Sequence, residues 1–395
     1  MGQDMKPFSP WPCYTEEEAE AVRRVLLSNK VNYWTGNECR NFEEEFAQWC
    51  QVNYAVSLAN GTLALDAALA ALGIGEGDEV IVTPRTFIAS VSSIVNAGAR
   101  PVFADVSCDS QNITGESVRA VLSEKTKAII CVHLAGWPCE MDEMLDLAEE
   151  YGLKLIEDCA QAHGAKYKGR PVGSIGDIGC WSFCQDKIMT TGGEGGMITT
   201  NDRDLWLKVW SLKDHGKSWS SVYEKQHPPG FRWLHDSFGS NWRMMEMQAA
   251  IGRIQLKRMS DWSSIRRANA ENIWEAARYI KGIYVPPLPE YITHAAYKCY
   301  VFVEPEALRS GWNRDRIMAE INSLGVPCFS GSCSEVYLEG AFENTEFRPG
   351  RRLDVAKTLG ENSIMFLVHP TLTGEEINRT IDALEVVMAK AIISP

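Results

Sequence analysis

The chain of 395 residues is 45% hydrophobic, 23% charged and 10% aromatic, a composition that excludes intrinsic disorder and collagen-like or low-complexity fibres. At ~100–200 residues per domain, this length corresponds to two or three domains and is sufficient to bury a sizeable core. With 39 basic and 52 acidic residues the net charge is −13, so we expect no nucleic-acid partner.

Three features of the sequence bear on where the protein works. The first ten residues lack the apolar core of a signal peptide, and no run approaches the ~18 apolar residues that cross a bilayer. The 12 cysteines include no C-x-x-C pair and have no zinc-site spacing. We therefore expect reduced thiols, no metal site, no membrane association and a cytoplasmic location.

In chain order, the first predicted element is a helix that begins after the capping-box pattern Thr15–Glu18. From there to about residue 200, short apolar runs alternate with stretches of helical period. The runs predicted as strands are 54–59, 79–83, 101–106, 128–134, 153–158, 178–183 and 197–200. This alternation predicts an α/β domain with a largely parallel sheet covered on both faces. Such sheets bind ligands beyond the carboxyl ends of their strands.

The second half of the chain has a different pattern. A loop-like stretch at 215–235 contains Pro228, Pro229 and Gly230, and a helical pattern follows at 243–259. Beyond the prolines at 286–289, a strand-like run and a helical tail at 374–391 predict a smaller α+β domain. We expect a large domain over residues 1–255 and a small C-terminal domain over residues 256–395.

Glycine-rich segments do not fit nucleotide-binding loops. In a phosphate loop ending at residues 215–218, Ser211 would occupy the position of the first glycine, and neither 73–77 nor 192–196 has the dinucleotide spacing. Asn60-Gly61-Thr62, between a strand and an apolar helix, is a better candidate, because a helix N-terminus attracts anions. An ordinary turn with an N-cap is the alternative.

Two further segments carry candidate chemistry. Asp158 ends a predicted buried strand and is followed by Gln161 and His163; its carboxylate is either a solvated loop charge or the partner of a ligand cation. We interpret His163 as a hydrogen-bonded core or rim histidine. Lys187 lies between the strand at 178–183 and a glycine-rich segment, which is unusual because most lysines are surface charges.

Five separated motifs, taken together, resemble the pyridoxal-phosphate-dependent sugar aminotransferases of the DegT/DnrJ/EryC1/StrS family over about residues 10–390. The motifs are Gly61-Thr62, Thr86-Phe87, Glu157-Asp158-x-Ala160-Gln161-Ala162-His163-Gly164, Ser182-Phe183 with Lys187 and Gly193-Glu194-Gly195-Gly196, and Asn241-Trp242-Arg243-Met244. Two departures are Asn60, where many members have Ser, and Trp242, where Tyr is common. The resemblance implies an aspartate-aminotransferase-like fold (fold type I), with a mixed, mostly parallel sheet in the large domain.

The resemblance also implies roles around the ring of pyridoxal 5'-phosphate. Lys187 would form the Schiff base and then shuttle the proton between substrate and cofactor. Asp158 would pair with the pyridinium nitrogen, and Gln161 would hydrogen-bond the side that carries the ring hydroxyl. Phe87 would stack on the ring, unless it is an aromatic residue of the core.

Four more residues would hold the cofactor phosphate. The backbone N–H groups of Gly61 and Thr62 and the hydroxyl of Ser182 would bind it within one subunit. Asn241 would reach the phosphate of the neighbouring subunit's cofactor, which implies a homodimer with shared active sites. An Asn that caps the following helix is the alternative.

A sister group in the fold has His at the Schiff-base position and removes a sugar hydroxyl, so Lys187 favours transamination. Glutamate is the expected donor, and the product is expected to enter cell-surface polysaccharide or lipopolysaccharide synthesis. The acceptor is either a nucleotide-linked keto hexose or the 8-aldehyde of a 3-deoxy-octulosonate, and the basic and aromatic residues at 215–235 would bind either one or form a solvated loop. A non-transaminase pyridoxal enzyme using Cys184 or Cys159, and a non-catalytic regulator, are the remaining alternatives.

Overall fold

A computed structural model describes residues 7–393. Residues 1–6 of the expected large domain and residues 394–395 of the expected small domain lie outside the described residues. The helices of this part are α1 (Glu16–Ser28), α2 (Glu38–Cys50), α3 (Gly61–Leu72), α4 (Ala89–Asn96), α5 (Gly115–Arg119), α6 (Met141–Tyr151), α7 (Arg203–Leu212), α8 (Glu246–Ala277), α9 (Arg314–Ser323), α10 (Asp354–Asn362) and α11 (Gly374–Ala391). Across residues 7–393, none of the helices is both long enough and apolar enough to span a membrane.

The strands of the described chain belong to three sheets. They are β1 (Tyr54–Leu58), β2 (Glu79–Val82), β3 (Arg100–Phe103), β4 (Thr126–Val132), β5 (Lys154–Asp158), β6 (Lys166–Tyr167), β7 (Arg170–Pro171), β8 (Ile178–Ser182), β9 (Gly196–Thr200), β10 (Ile283–Tyr284), β11 (Ile292–Thr293), β12 (Cys299–Val303), β13 (Cys328–Phe329) and β14 (Ser363–Phe366).

The largest sheet among the described residues has seven strands in the order β1-β9-β8-β5-β4-β2-β3. Strands β8, β5, β4, β2 and β3 pair in parallel, whereas β9 is antiparallel to both of its neighbours. The expected mixed, mostly parallel sheet is therefore confirmed. Each of the seven apolar runs predicted as a strand corresponds to one strand of this sheet, with ends that differ by at most three residues.

Both faces of this sheet carry apolar side chains, which explains why helices cover both faces. Along β4, Ala128, Ile130 and Val132 belong to the core under α3, α4 and α7. Ile129 and Cys131 point to the opposite core, which α6 covers. Alternation of apolar residues on both faces is typical of a buried parallel strand.

The C-terminal part contains a four-stranded antiparallel sheet in the order β10-β12-β14-β13. Helices α9 and α11 pack on it around one apolar core. The predicted helical tail is α11, and Thr373 caps it by accepting a hydrogen bond from the backbone N–H of Glu376. Helix α8 runs continuously past residue 255, so the expected boundary falls inside a helix, and the division into two domains stays a prediction.

A third, three-stranded sheet joins distant parts of the chain. Its order is β11-β6-β7, and Ile292 of β11 pairs with Tyr167 of β6. Next to it, the backbone N–H of Ala295 donates to the carbonyl of Gly136 at 2.9 Å. The segment before β12 is thereby attached to the region that surrounds the carboxyl ends of β4 and β5.

Candidate active site

A cavity of about 590 Å³ lies at the carboxyl ends of three neighbouring strands of the large sheet. Val132, Asp158 and Ser182, the last residues of β4, β5 and β8, line it together with the first turn of α3. This is the edge at which α/β sheets bind ligands. Seven of the eight predicted site residues line this cavity, namely Gly61, Thr62, Phe87, Asp158, Gln161, Ser182 and Lys187.

Asp158 is a buried acid with defined hydrogen-bond partners. Its Oδ2 accepts a hydrogen bond from the Ser90 hydroxyl at 2.8 Å, and its Oδ1 accepts one from the backbone N–H of Ala160 at 3.1 Å. Burial raises the pKa of Asp158 above its ordinary value, although both hydrogen bonds and the charge of Lys187 act in the opposite direction. A cationic ring nitrogen would relieve this cost of burial.

The neighbouring acid, Glu157, does not line the cavity and instead binds groups of the protein itself. Its carboxylate accepts hydrogen bonds from the backbone N–H groups of Gly173, Ile175 and Gly176 and lies 3.0 Å from Nε2 of His133. Burial alone would raise the pKa of Glu157, but the hydrogen bonds from His133 and the backbone lower it below its ordinary value.

His133, Glu157 and Cys159 lie close enough to be considered as metal ligands. However, Nδ1 of His133 accepts a hydrogen bond from the backbone N–H of Cys139 at 3.0 Å. The other ring nitrogen faces Glu157, whose two oxygens are already occupied. The group therefore holds the loop after β5 in place.

The side-chain amide of Gln161 is held through its oxygen atom. Its Oε1 accepts a hydrogen bond from the backbone N–H of Ala135 at 2.8 Å. Ala135 has a φ of 57°, in the left-handed region, which directs that N–H group toward Gln161. Because the oxygen is used, the amide nitrogen is the donor that Gln161 has left for a ligand in the cavity.

The first turn of α3 and the end of β8 form a tight anion cradle. The side chain of Asn60 accepts a hydrogen bond from the N–H of Leu63 at 2.9 Å, so the N–H groups of Gly61 and Thr62 remain at the helix N-terminus. A Cβ at Gly61 would lie 2.5 Å from Cβ of Ser182. Only glycine permits the helix to approach the serine this closely, so the backbone donors and the hydroxyl converge on one point.

Lys187 is positioned by contacts on both sides. Its Nζ lies 3.6 Å from Oδ1 of Asp186 and 5.3 Å from the ring centroid of Tyr297, and its side chain is 16% exposed. Its backbone carbonyl accepts a hydrogen bond from Nε1 of Trp11 at 2.9 Å. The amine therefore lies in the same cavity as Asp158 and is largely shielded from solvent.

Phe87 is 68% exposed and lines the cavity. This rules out the alternative that it is an aromatic residue of the core. An exposed ring at the mouth of a polar cavity offers a flat surface for another ring.

Asn241 does not lie in the cavity. It is exposed, and it forms a backbone bridge with Asp214. The Oδ1 atom of Asp214 accepts hydrogen bonds from Lys217 at 2.9 Å and from Arg243 at 2.8 Å. Within a single chain, the structure thus fixes the Asn241 segment but leaves its side chain outside the site.

His163 differs in part from its interpretation. It is fully buried, but both ring nitrogens lack a hydrogen-bond partner within residues 7–393. The ring packs against Trp181 and Phe183, with centroids 5.2 and 5.7 Å away. Burial, with the charges of Lys187 and Arg266, lowers the pKa of His163 to about 3, so the ring is neutral.

The loop at 215–235 differs between its two halves, and its role in substrate binding stays a prediction. Trp219 precedes a π-helical turn at Ser220–Glu224 and packs on Tyr223 within that turn, with ring centroids 4.4 Å apart. Phe231 and Trp233 are 78% and 81% exposed. The aromatic rings in the first half of the loop thus pack on each other, whereas those in the second half are exposed to solvent.

Sequence reasoning missed Ser90, which orients Asp158. A signal existed, because Ser90 follows Thr86 by four residues and two such positions share one face of a helical turn. Indeed, the two hydroxyl oxygens lie 2.8 Å apart.

The cavity thus contains a buried acid, a shielded amine and an anion cradle. These match the ring nitrogen, the aldehyde and the phosphate of pyridoxal phosphate, so the residues present fit this cofactor. Cys184 also lines the cavity, and burial raises the pKa of its thiol, which disfavours the reactive thiolate that a sulfur-transferring pyridoxal enzyme needs.

Comparisons with known proteins agree with this geometry. The model of the DegT/DnrJ/EryC1/StrS aminotransferase family matches residues 12–385. GDP-perosamine synthase of Escherichia coli O157:H7 is 43% identical over 260 residues, which cover 66% of this chain and 68% of that protein. The dTDP-3-amino-3,4,6-trideoxy-alpha-D-glucose transaminase of Streptomyces venezuelae is 32% identical over 374 residues, 94% of this chain and 93% of that protein.

Solved structures share the whole fold. The X-ray structure of the aminotransferase from Psychrobacter cryohalolentis is 65% identical with a TM-score of 0.96, covering 97% of this chain and 99% of that chain. The fold is that of fold type I aminotransferases, and the cofactor is pyridoxal phosphate. The protein is a transaminase, and the chain belongs to the DegT/DnrJ/EryC1/StrS aminotransferase family.

Proposed function

We propose that the protein transfers an amino group from glutamate to a carbonyl carbon of a sugar. Glutamate leaves as 2-oxoglutarate, and the sugar carbonyl becomes an amine. The observation that carries this proposal is that Lys187 and Asp158 line one cavity together with the anion cradle at Gly61.

When bound, pyridoxal phosphate supplies an aldehyde that condenses with amines and a ring that accepts electrons from the substrate carbon. In this proposal, Lys187 moves the proton at the reacting carbon. Asp158 keeps a proton on the ring nitrogen, and Gln161 donates a hydrogen bond to the ring hydroxyl. Phe87 covers one face of the ring.

The phosphate is assigned to the cradle. The N–H groups of Gly61 and Thr62 and the hydroxyl of Ser182 bind it, and the helix dipole adds a favourable field. These donors would hold the cofactor in the cavity that Lys187 lines, and the Lys187 side chain is 16% exposed, which limits the access of water to its amine.

For the acceptor, we propose a keto sugar linked to a nucleotide. The names of two relatives, GDP-perosamine synthase and the dTDP-3-amino-3,4,6-trideoxy-alpha-D-glucose transaminase, refer to nucleotide-linked amino sugars. The exposed half of the loop, with Arg232, Phe231 and Trp233, offers a cation and flat rings that suit a nucleotide.

The 8-aldehyde of a 3-deoxy-octulosonate is the second candidate acceptor. Two cations near Lys187, the buried Arg266 and the half-buried Lys298, favour a substrate that carries a carboxylate. As the resemblance implies, the amino sugar would serve cell-surface polysaccharide or lipopolysaccharide synthesis in the cytoplasm.

We also propose a homodimer with shared active sites. Phe238 is 100% exposed in the single chain, which is unfavourable for a large apolar ring unless another surface covers it. It lies close in sequence to Asn241, which is exposed as well. A second copy that covers this segment would bring Asn241 to the neighbouring phosphate.

The test is Lys187→Ala. The variant is expected to lose the yellow absorbance band of the lysine-bound cofactor and at least ~10³-fold in activity, whereas exposed Lys127→Ala on β4 retains both. An unchanged band in Lys187→Ala would refute the proposal.

A second measurement identifies the acceptor. Glutamate is expected to bleach the wild-type protein, and a panel of keto sugar nucleotides and the 8-aldehyde octulosonate is then tested for recovery of the band. Bleaching without recovery by any sugar would contradict the proposed acceptor class, whereas the absence of any bleaching would support a non-catalytic regulator.

A further inference from the structure

A second cavity, of about 310 Å³, lies beside the first. Asp186 lines both cavities, so they meet next to Lys187. Its walls come from six separate parts of the chain: residues 8–11, Asp186, helix α8, the segment that leads into β12, residues 327–329 and residues 367–369. The predicted roles leave this cavity unused.

Arg266 on α8 is the central group of the second cavity. Its side chain is buried, with 2% of the residue exposed, and its Nε and Nη2 atoms have no hydrogen-bond partner in the part of the chain that the structure describes. The ring of Trp11 covers the guanidinium at 4.9 Å, but it supplies no acceptor. Burying unpaired guanidinium donors is costly, so this group is built for an anion.

A second cation lines the same cavity. Lys298 lies just before β12, and the charges of Arg266 and Lys187 reach it. Burial lowers the pKa of Lys298 to about 8 and that of Arg266 to about 9. An anion bound between them would offset this cost for both groups.

The neighbouring polar groups offset these cations only in part, because the charge of Asp186 acts on Lys298 but is shared with Lys187. Asp186 accepts a hydrogen bond from the hydroxyl of Tyr297, and its other oxygen lies 3.6 Å from Nζ of Lys187. The hydroxyl of Thr371 donates to the carbonyl of Pro10, so His369 must donate from Nδ1 to Thr371. His369 is thus satisfied as a neutral ring, and positive charge remains in the cavity.

The size and position of the cavity limit the ligand. Apolar walls at Pro327, Phe329 and Leu367 and a volume of about 310 Å³ suit a short carbon chain with an anionic end rather than a whole nucleotide-linked sugar. Tyr297 lines this cavity, and its ring lies 5.3 Å from Nζ of Lys187. A molecule anchored at Arg266 can therefore reach the amine with its other end.

We propose that this second cavity is a carboxylate subsite, in which Arg266 and Lys298 bind the carboxylate of a substrate whose reacting carbon lies at Lys187. The inference rests on the proposed function, because it assumes that the substrate reacts at Lys187. Two substrates carry such a group, the amino donor and a sugar acid. A bidentate Arg–carboxylate contact would fix the orientation of either one.

The experiment measures binding to the holoenzyme without turnover. Two probes, glutarate for the donor and 3-deoxy-octulosonate for the sugar acid, are titrated calorimetrically. Arg266→Met and Lys298→Met are expected to weaken binding of at least one probe by about 10- to 100-fold, as expected for lost hydrogen bonds to a charged group. Arg267→Met, the same change at the next position of α8, is the control and should stay within about twofold of wild type.

The probe that loses affinity identifies the source of the carboxylate. Arg266→Lys should recover part of the affinity, because the charge returns without the planar fork. If Arg266→Met does not fold, Lys298→Met and Arg266→Lys still decide the outcome. The proposal is overturned if both probes bind these variants as tightly as wild type. These variants should keep the yellow band of the lysine-bound cofactor. A retained band shows that the assignment of Lys187 still holds when carboxylate binding fails.

Discussion

The hydroxyl oxygen of Ser90 lies 2.8 Å from Oδ2 of Asp158. Because Ser90 donates its one hydrogen to the carboxylate, the hydroxyl of Thr86, 2.8 Å away, donates to Ser90 in turn. This chain of two hydroxyls fixes the orientation of the acid at the end of β5. It also stabilises the ionised form, which burial disfavours.

Ser90→Ala is expected to raise the pKa of Asp158 further, because the ionised form loses a hydrogen bond. Since the ionised carboxylate is the active form in our proposal, activity is lost as pH falls through this pKa. The low-pH limb of kcat/KM should move upward by about one pH unit. Ser93→Ala is the control, because Ser93 is also buried on α4 but donates to the backbone carbonyl of Ser90. Identical acid limbs for the Ser90 variant and wild type would disprove this role.

Gly61→Ala is expected to weaken cofactor binding at least about tenfold, because a Cβ there meets Ser182 at 2.5 Å and must displace the first turn of α3. The measurement is a titration of the apoprotein with pyridoxal phosphate. Gly374→Ala is a matched control: Gly374 is the first residue of α11, as Gly61 is of α3, and a Cβ at Gly374 meets nothing within 4 Å in the described structure. Equal affinities for the two variants would show that close approach to Ser182 is not needed.

Glu157→Gln is expected to lower the free energy of unfolding by about 3 kcal/mol, because the amide nitrogen would face hydrogen-bond donors in a buried site. The folded protein holds the pKa of Glu157 below its ordinary value of 4.5. Its contribution is therefore present above that value and is lost as pH falls through the folded pKa. Denaturant unfolding between neutral and acid pH should show a smaller acid loss for the variant than for wild type. Exposed Glu149→Gln on α6 should behave as wild type, and a variant with unchanged stability at neutral pH would contradict the assignment.

Mixing Asn241→Ala with Lys187→Ala subunits tests the shared site. Random pairing makes half of the dimers heterodimers, each with one intact site of two, so roughly a quarter of wild-type activity should return. The measurement is activity before and after joint refolding. No gain over the separate variants would count against a site built from two subunits.

Local patterns determined how much of the fold could be predicted. Apolar runs such as the one in β5 identify strands, because both faces are buried. The reversed direction of β9 was not specified by its apolar residues, since a buried strand has the same pattern in either direction. The expected boundary near residue 255 falls inside helix α8. The helical period of a sequence does not indicate to which domain a helix belongs.

The candidate site was predictable where its residues lie in motifs next to strand ends. Asp158 and Lys187 are of this kind. The contacts that hold them depend on residues far along the chain, such as Tyr297 at Asp186 and Ala135 at Gln161. Arg266 resembled an ordinary helical arginine in the sequence, because only the fold reveals that it is buried without an acceptor in the described chain.

The pairing of β11 with β6 constrains how this enzyme can be recombined with its relatives. Residues 292–293, although they follow α8, are bonded to Lys166 and Tyr167 of the first half. A chimera joined within α8 would place one parent's β11 against the other parent's β6. Breakpoints that keep β6 and β11 from the same parent should give more soluble hybrids. The strands of this small sheet should therefore be exchanged together.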